Sequence, residues 1–151
     1  MIIQTSSDME DLGQKMGALL RGGEVIELIG DIGAGKTTFV HGLAKGLGVT
    51  DNVTSPSFTI NCNYPGRDNL MLRHYDFYRL NDPGIMSMEI AEAVNDQQAI
   101  IVIEWGDSIR NVLPDQHITI NIAYLAESGR QVTINLPDNQ PHLSSILETK
   151  S

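Results

Sequence analysis

Apolar residues change their spacing several times along this chain, and each change marks an element. Val25, Ile26, Leu28 and Ile29 form a nearly unbroken apolar run between Gly22-Gly23 and Gly30, which predicts a buried strand. Over 37–47, Phe39, Val40, Leu43, Ala44 and Leu47 fall on one face of a helix. Upstream, Met9, Leu12, Met16, Leu19 and Leu20 repeat the helical spacing, with their methionines read as core. Ser7-Asp8-Met9-Glu10 has capping-box spacing at the start of that helix, and Gly22-Gly23 closes it. Residues 1–4 form a short apolar start with the character of an edge strand.

The second half is more β-rich. Residues 50–57 are polar and broken by Pro56, hence a loop. Stretches 58–64 and 70–78 read as two strands joined by a turn at 65–69, an antiparallel hairpin. Asp82-Pro83 has the form of an N-cap followed by Pro at the first helical position, and Met86, Met88, Ile90, Ala91 and Val94 fill that helix. Residues 99–104 are a second core strand, five apolar residues ending in Glu104. After a turn at 105–107 and a short helix at 108–113, Ile118, Ile120 and Ile122 alternate with polar residues, as do Val132, Ile134 and Leu136. Residues 127–130 join them into another hairpin. From about 138 the tail is polar, with a helical stretch at 143–147. The pattern predicts one α/β domain over 1–151: two core strands in a mixed sheet flanked by helices, with antiparallel hairpin additions.

Composition narrows the class. A chain of 151 residues, 41% hydrophobic, can bury a core as one domain. No apolar run reaches a membrane-spanning length, and Asp8, Glu10 and Asp11 are wrong for a transit peptide. The single cysteine, Cys62, excludes an internal disulfide framework and reads as a small buried residue; a cytoplasmic protein is expected. With 19 acidic and 10 basic residues, a net charge of −9, there is little material for a groove that tracks nucleic-acid phosphates. An acidic surface suits a more basic protein partner.

The chemistry is concentrated between the first core strand and its helix. Gly30-Asp31-Ile32-Gly33-Ala34-Gly35-Lys36-Thr37-Thr38 matches the G-x-x-x-x-G-K-[ST] phosphate loop in the required strand–loop–helix context. Its glycines let backbone N–H groups turn towards an anion, and the helix that follows presents its positive end. Lys36 would reach the β- and γ-phosphates of a nucleotide, and the Thr37 hydroxyl would ligate Mg²⁺. Such a loop needs an acid at the end of a neighbouring strand, and both Glu104 and Asp76 have that position. Asp31, inside the loop, either faces solvent or positions water; Trp105 is either core or a ring near nucleotide or partner. The hydroxyls of 50–57 fit either an ordinary turn or a nucleotide-sensing segment. His74 reads as structural, and Arg79 and Arg130 as charge neutralisers, partner contacts or solvated surface.

Taken in order, the phosphate loop, Val53-Thr54-Ser55-Pro56-Ser57-Phe58-Thr59, His74-Tyr75-Asp76-Phe77-Tyr78-Arg79-Leu80 and Ile103-Glu104-Trp105 closely resemble the TsaE (YjeE) family. The match runs from about Ser7 to Trp105, with an echo at 127–130. The phosphate loop alone is generic; the other three motifs are specific. The resemblance implies a P-loop NTPase-like fold, ATP and Mg²⁺ as cofactors, and weak intrinsic ATPase activity. It implies work in threonylcarbamoyladenosine modification of tRNA with the TsaD and TsaB proteins, tRNA being met only through that complex. By the same motifs, Lys36, Asp76 and Glu104 carry catalysis, with Thr37, Asp76 and Glu104 serving Mg²⁺. Asp31, Gly33, Ala34, Gly35, Lys36, Thr37, Thr38, Ser55, Ser57 and Trp105 line the nucleotide site. Ser57 stands where the family commonly has Thr and keeps the hydroxyl, whereas 84–88 lacks the acidic, leucine-containing stretch expected after Y-R-L.

Two other classes compete. A small-molecule kinase would close an Arg-rich lid over the transferred phosphate, and no such insert is visible. A non-catalytic nucleotide-dependent binding module would not need Asp76 and Glu104. A GTPase is disfavoured by the lack of N-K-x-D and D-x-x-G segments.

Overall fold

The computed structural model describes residues 1–56, 60–78, 82 and 84–148. Seven strands form one sheet: β1 (Ile2–Ile3), β2 (Val25–Ile29), β3 (Asn61–Pro65), β4 (Met71–Asp76), β5 (Ala99–Glu104), β6 (Ile118–Tyr124) and β7 (Arg130–Asn135). Their spatial order is β1-β7-β6-β2-β5-β4-β3. The contiguous set β6-β2-β5-β4 is parallel, and β7, β1 and β3 pair antiparallel at its two sides. Both hairpins, the edge position of β1 and the two apolar strands are where the residue pattern puts them. The parallel core is wider, however: β4 and β6 join β2 and β5, giving four core strands instead of two.

Two helices cover one face. Helix α1 (Ser6–Leu19) and α2 (Lys36–Gly46) bury Met9, Leu12, Met16, Phe39, Val40 and Leu43 against Ile26, Leu28, Ile100, Val102 and Ile120. On the other face, Ile90 and Ala93 of α3 (Ile85–Ala93) and Ile109 of the 3-10 segment Gly106–Val112 meet Val25, Tyr75, Ile101 and Ile103. Glu27 interrupts the apolar run of β2 yet is buried, because Arg110 Nη2 and His117 Nε2 each lie 3.0 Å from its carboxylate oxygens. Strand β2 tolerates it because both oxygens are partnered.

Local chemistry moves several boundaries. Thr5, not Ser7, caps α1: its side chain accepts from the Asp8 amide, and Asp8 accepts from the Thr5 amide, each at 3.1 Å. Helix α3 starts at Ile85 with Gly84 as N-cap, so Asp82 does not cap it; Asp82 instead accepts the Gly84 N–H at 3.0 Å. Pro83 lies outside the described residues. Cys62 is only half-buried, since β3 is an edge strand. The C-terminal stretch is a 3-10 helix, Pro141–Glu148, that buries Leu143 and Ile146 in the α1–α2 core. Among the described residues, no helix is long and apolar enough to cross a membrane.

Candidate functional site

Strands β2, β4 and β5 are parallel, so their C-terminal ends meet on one edge, where crevices of α/β sheets form. The loop 30–35 leaves β2 there and turns into α2. Gly33 and Gly35 have φ of 79° and 114°, conformations that side chains resist and that expose backbone N–H groups. Gly35 is the N-cap of α2, with Lys36 and Thr37 in its first turn.

Asp76 and Glu104 are register partners at the ends of β4 and β5. Together with Gly33, Lys36, Thr37, Ser55 and Trp105, they line an open cavity of about 270 Å³. Ile32, Ile60 and Tyr78 complete its wall. The two carboxylates differ in setting. Glu104 is buried, and its Oε2 lies 2.8 Å from His74 Nε2. Asp76 is half-buried and accepts the Tyr78 N–H at 2.9 Å. Burial, with the nearby Glu104 charge adding to it, pushes the Asp76 carboxyl pKa up; the Tyr78 N–H opposes this.

Lys36 is buried at the cavity floor. Its ammonium donates to the Gly30 carbonyl and lies 4.3 Å from the Trp105 ring centroid. Desolvation pushes its pKa down, against the pull of Glu104, Asp76 and Asp31. Trp105 reaches it because the backbone turns sharply off β5: its φ is 58°, the left-handed region a bulky residue seldom occupies. Tyr78 packs on that ring with centroids 4.9 Å apart. Ile60, also left-handed at φ 66°, donates to the Pro56 carbonyl and accepts from the Asp76 amide, each at 2.8 Å. The hydroxyl-rich loop is thereby tied to the strand that bears Asp76.

The other expected site residues fall nearby. Gly33, Ala34, Gly35 and Thr38 line an adjoining cavity of about 160 Å³ with Arg130 and the chain around Thr5. Asp31 is exposed and lines a third hollow behind the loop, which Trp105 also touches. Ser57 and Arg79 lie outside the described residues. Two bracing contacts were not foreseen. Arg130 Nε donates to the Ala34 carbonyl at 3.0 Å, and Tyr124 Oη donates to the Ile32 carbonyl at 2.9 Å. The Arg130 guanidinium stacks 4.2 Å from the Tyr124 ring centroid. These contacts engage two of the loop's carbonyls from the β6–β7 hairpin. Tyr124 carried no signal beyond that of an ordinary strand-end aromatic.

The oxygens facing the main cavity, from Thr37, Asp76 and Glu104, are hard donors of the kind Mg²⁺ prefers. Among the described residues no group of three or more His, Cys, Asp or Glu side chains could hold a metal by itself. A divalent cation there would need further oxygens, and phosphate groups supply them.

A family model for the threonylcarbamoyl adenosine biosynthesis protein TsaE matches residues 3–132, which contain every one of these side chains. The chain belongs to the TsaE family. It is 38% identical over 138 residues to the tRNA threonylcarbamoyladenosine biosynthesis protein TsaE of Treponema pallidum, covering 88% of this chain and 97% of that one. The protein of the same name from Nostoc is 38% identical over 144 residues, covering 93% and 86%. That of Bacillus subtilis is 36% identical over 124 residues, covering 82% and 76%. In three dimensions the chain is similar to crystalline YdiB of Bacillus subtilis, with a TM-score of 0.75, 28% identity and coverage of 98% and 96%. The likeness supports a P-loop architecture for this TsaE-family sheet.

Proposed function

We propose that this protein is a Mg²⁺-dependent ATPase of the cytoplasm that serves threonylcarbamoyladenosine biosynthesis on tRNA. The observation that carries this reading is the in-register Asp76–Glu104 pair facing Lys36 and Thr37 across one cavity, in a chain of the TsaE family. Bound Mg²⁺ would neutralise phosphate charge, held by Thr37, Asp76 and Glu104 with phosphate oxygens. Lys36 leaves the Gly30 carbonyl and the Trp105 face to meet the β- and γ-phosphates. The loop amides bind the phosphate oxygens between Gly33 and Thr38. Glu104 orients the attacking water, and Ser55 and Ser57 report the state of the γ-phosphate.

The family supports partners of the TsaD and TsaB kind, with turnover weak alone and faster with the pair. ATP binding and hydrolysis would drive or reset that assembly without supplying the transferred group. The net charge of −9 favours contact with tRNA through those partners over direct binding. The test is hydrolysis by the purified protein, alone and with TsaB and TsaD, using GTP as control. ATP-specific stimulation by the pair is expected; slow turnover that the pair leaves unchanged would overturn the partner-gated reading.

A further inference from the structure

His74 is fully buried, and the reaction outlined above gives it no task. It sits on β4 opposite Val102 of β5, two residues before Asp76, so it projects from the α2 side of the sheet along with Asp76 and Glu104. Its Nε2 lies 2.8 Å from Oε2 of Glu104, and the two side chains are 1% and 4% exposed. The other ring nitrogen, Nδ1, is buried with no hydrogen-bond partner among the described residues. A carboxylate oxygen accepts, so the hydrogen of this contact sits on Nε2 and is donated to Glu104. A buried polar atom left without a partner opposes folding, and a histidine that merely filled space would be better replaced by leucine. Among the described residues the ring has one hydrogen bond, and it ends on the carboxylate that lines the cavity.

We infer that His74 is a positioning residue: its Nε2–H fixes Oε2 of Glu104, so that the second carboxylate oxygen is presented to the cavity. This rests on the reading of Glu104 as the residue that serves cation and water. Partners behind a metal-binding group commonly change metal affinity by about ten- to a hundred-fold. His74 acts in this way through Glu104 and touches neither nucleotide nor cation.

The test uses the full chain with ADP and Mn²⁺, a paramagnetic stand-in for Mg²⁺ whose bound fraction is read by electron paramagnetic resonance. His74→Leu is expected to weaken Mn²⁺ binding about ten-fold and to lower kcat for ATP with little change in KM. His74→Gln, whose amide N–H extends to about the place of Nε2, is expected to recover most of both. In a Glu104→Gln background, His74→Leu should change Mn²⁺ affinity no further. Wild-type affinity in His74→Leu, equal losses in the Leu and Gln variants, or an undiminished effect without Glu104 would overturn the assignment. So would a lowered melting temperature with unchanged Mn²⁺ affinity, the mark of a merely structural histidine. If His74→Leu does not fold, ¹⁵N resonances of the intact protein decide. A protonated Nε2 that shifts in Glu104→Gln supports the inference, and an unprotonated Nε2 overturns it. Absence of Mn²⁺–ADP binding by the wild-type protein would overturn the proposed function as well, which separates the two failures.

Discussion

Burial beside Glu104 raises the Asp76 pKa, so the folded protein holds a carboxylate where ionisation is disfavoured. The sign of the consequence follows from linkage. Below the ordinary aspartate range both folded and unfolded chains hold the proton, and Asp76 costs nothing. As pH rises, the unfolded chain ionises first, and stability falls until the folded carboxyl ionises too. Asp76→Asn keeps an oxygen for the Tyr78 amide and removes the charge. It should therefore melt higher than the wild-type protein at neutral pH, in the absence of nucleotide and divalent cation. The gap should narrow as pH is lowered towards the ordinary aspartate range; a gap that widens on acidification would refute the assignment. Glu104→Ala should retain nucleotide and lose turnover, checked by separate binding and hydrolysis measurements. The placement of Asp76 and Glu104 was legible, because each lies towards the end of a stretch that the pattern predicts to be a strand beside the phosphate loop. The braces were not legible: Arg130 and Tyr124 act on loop carbonyls 96 and 92 residues away, and no local pattern encodes that separation.

Between α1 and α2 the backbones themselves touch. A Cβ added to Gly42 would lie 1.9 Å from the Glu10 carbonyl oxygen, and one added to Gly13 would lie 2.2 Å from that of Phe39. Gly17 and Gly46 are equally confined. Gly→Ala normally favours a helix by about 1 kcal/mol, but here backbone is the obstacle and cannot rotate away. Gly42→Ala should have a net cost of about 1–3 kcal/mol in denaturant unfolding, the usual range for overpacking. A stabilised variant would show that the helices are less tightly apposed. Arg67 ties the same two helices at their far ends. Its guanidinium donates to the carbonyls of Gly17, Ala18, Leu20 and Gly46 at 2.6–3.3 Å, at helix C-termini where carbonyls lack the next turn's amides. Arg67→Lys keeps the charge but loses the fork, and should lower stability by about 1–3 kcal/mol in the same assay. Undiminished stability would show that solvent serves those carbonyls as well. The apolar spacing revealed both helices; their intimacy was hidden, since four glycines at these intervals also read as flexibility.

At the scale of the whole molecule, the site depends on three parallel strands ending together while helices hold one face of the sheet. Direction of pairing was the least legible feature. An alternating strand such as β6 looks the same whether its neighbour runs with it or against it, and the crossover that decides lies in distant chain. The C-terminal segment was legible as a helical stretch at 143–147, but its place in the core was not: within polar surroundings, Leu143, Ile146 and Leu147 do not say which of them is buried. Spaced by three, Leu143 and Ile146 share one side of a 3-10 helix and enter the core formed with α1. Leu143 is fully buried, whereas Leu147 is 52% exposed. Leu143→Ala should cost about 2–5 kcal/mol in denaturant unfolding, as truncation of a buried leucine does. Leu147→Ala should change stability by no more than about 0.5 kcal/mol. Mg²⁺-ATP affinity of the folded fraction should be the same in both, because neither residue reaches the cavity at the strand ends. Equal losses in the two variants would mean that the segment acts through overall helicity. A loss confined to Leu143→Ala would make it the last piece of the core on which the phosphate loop and its helix rest.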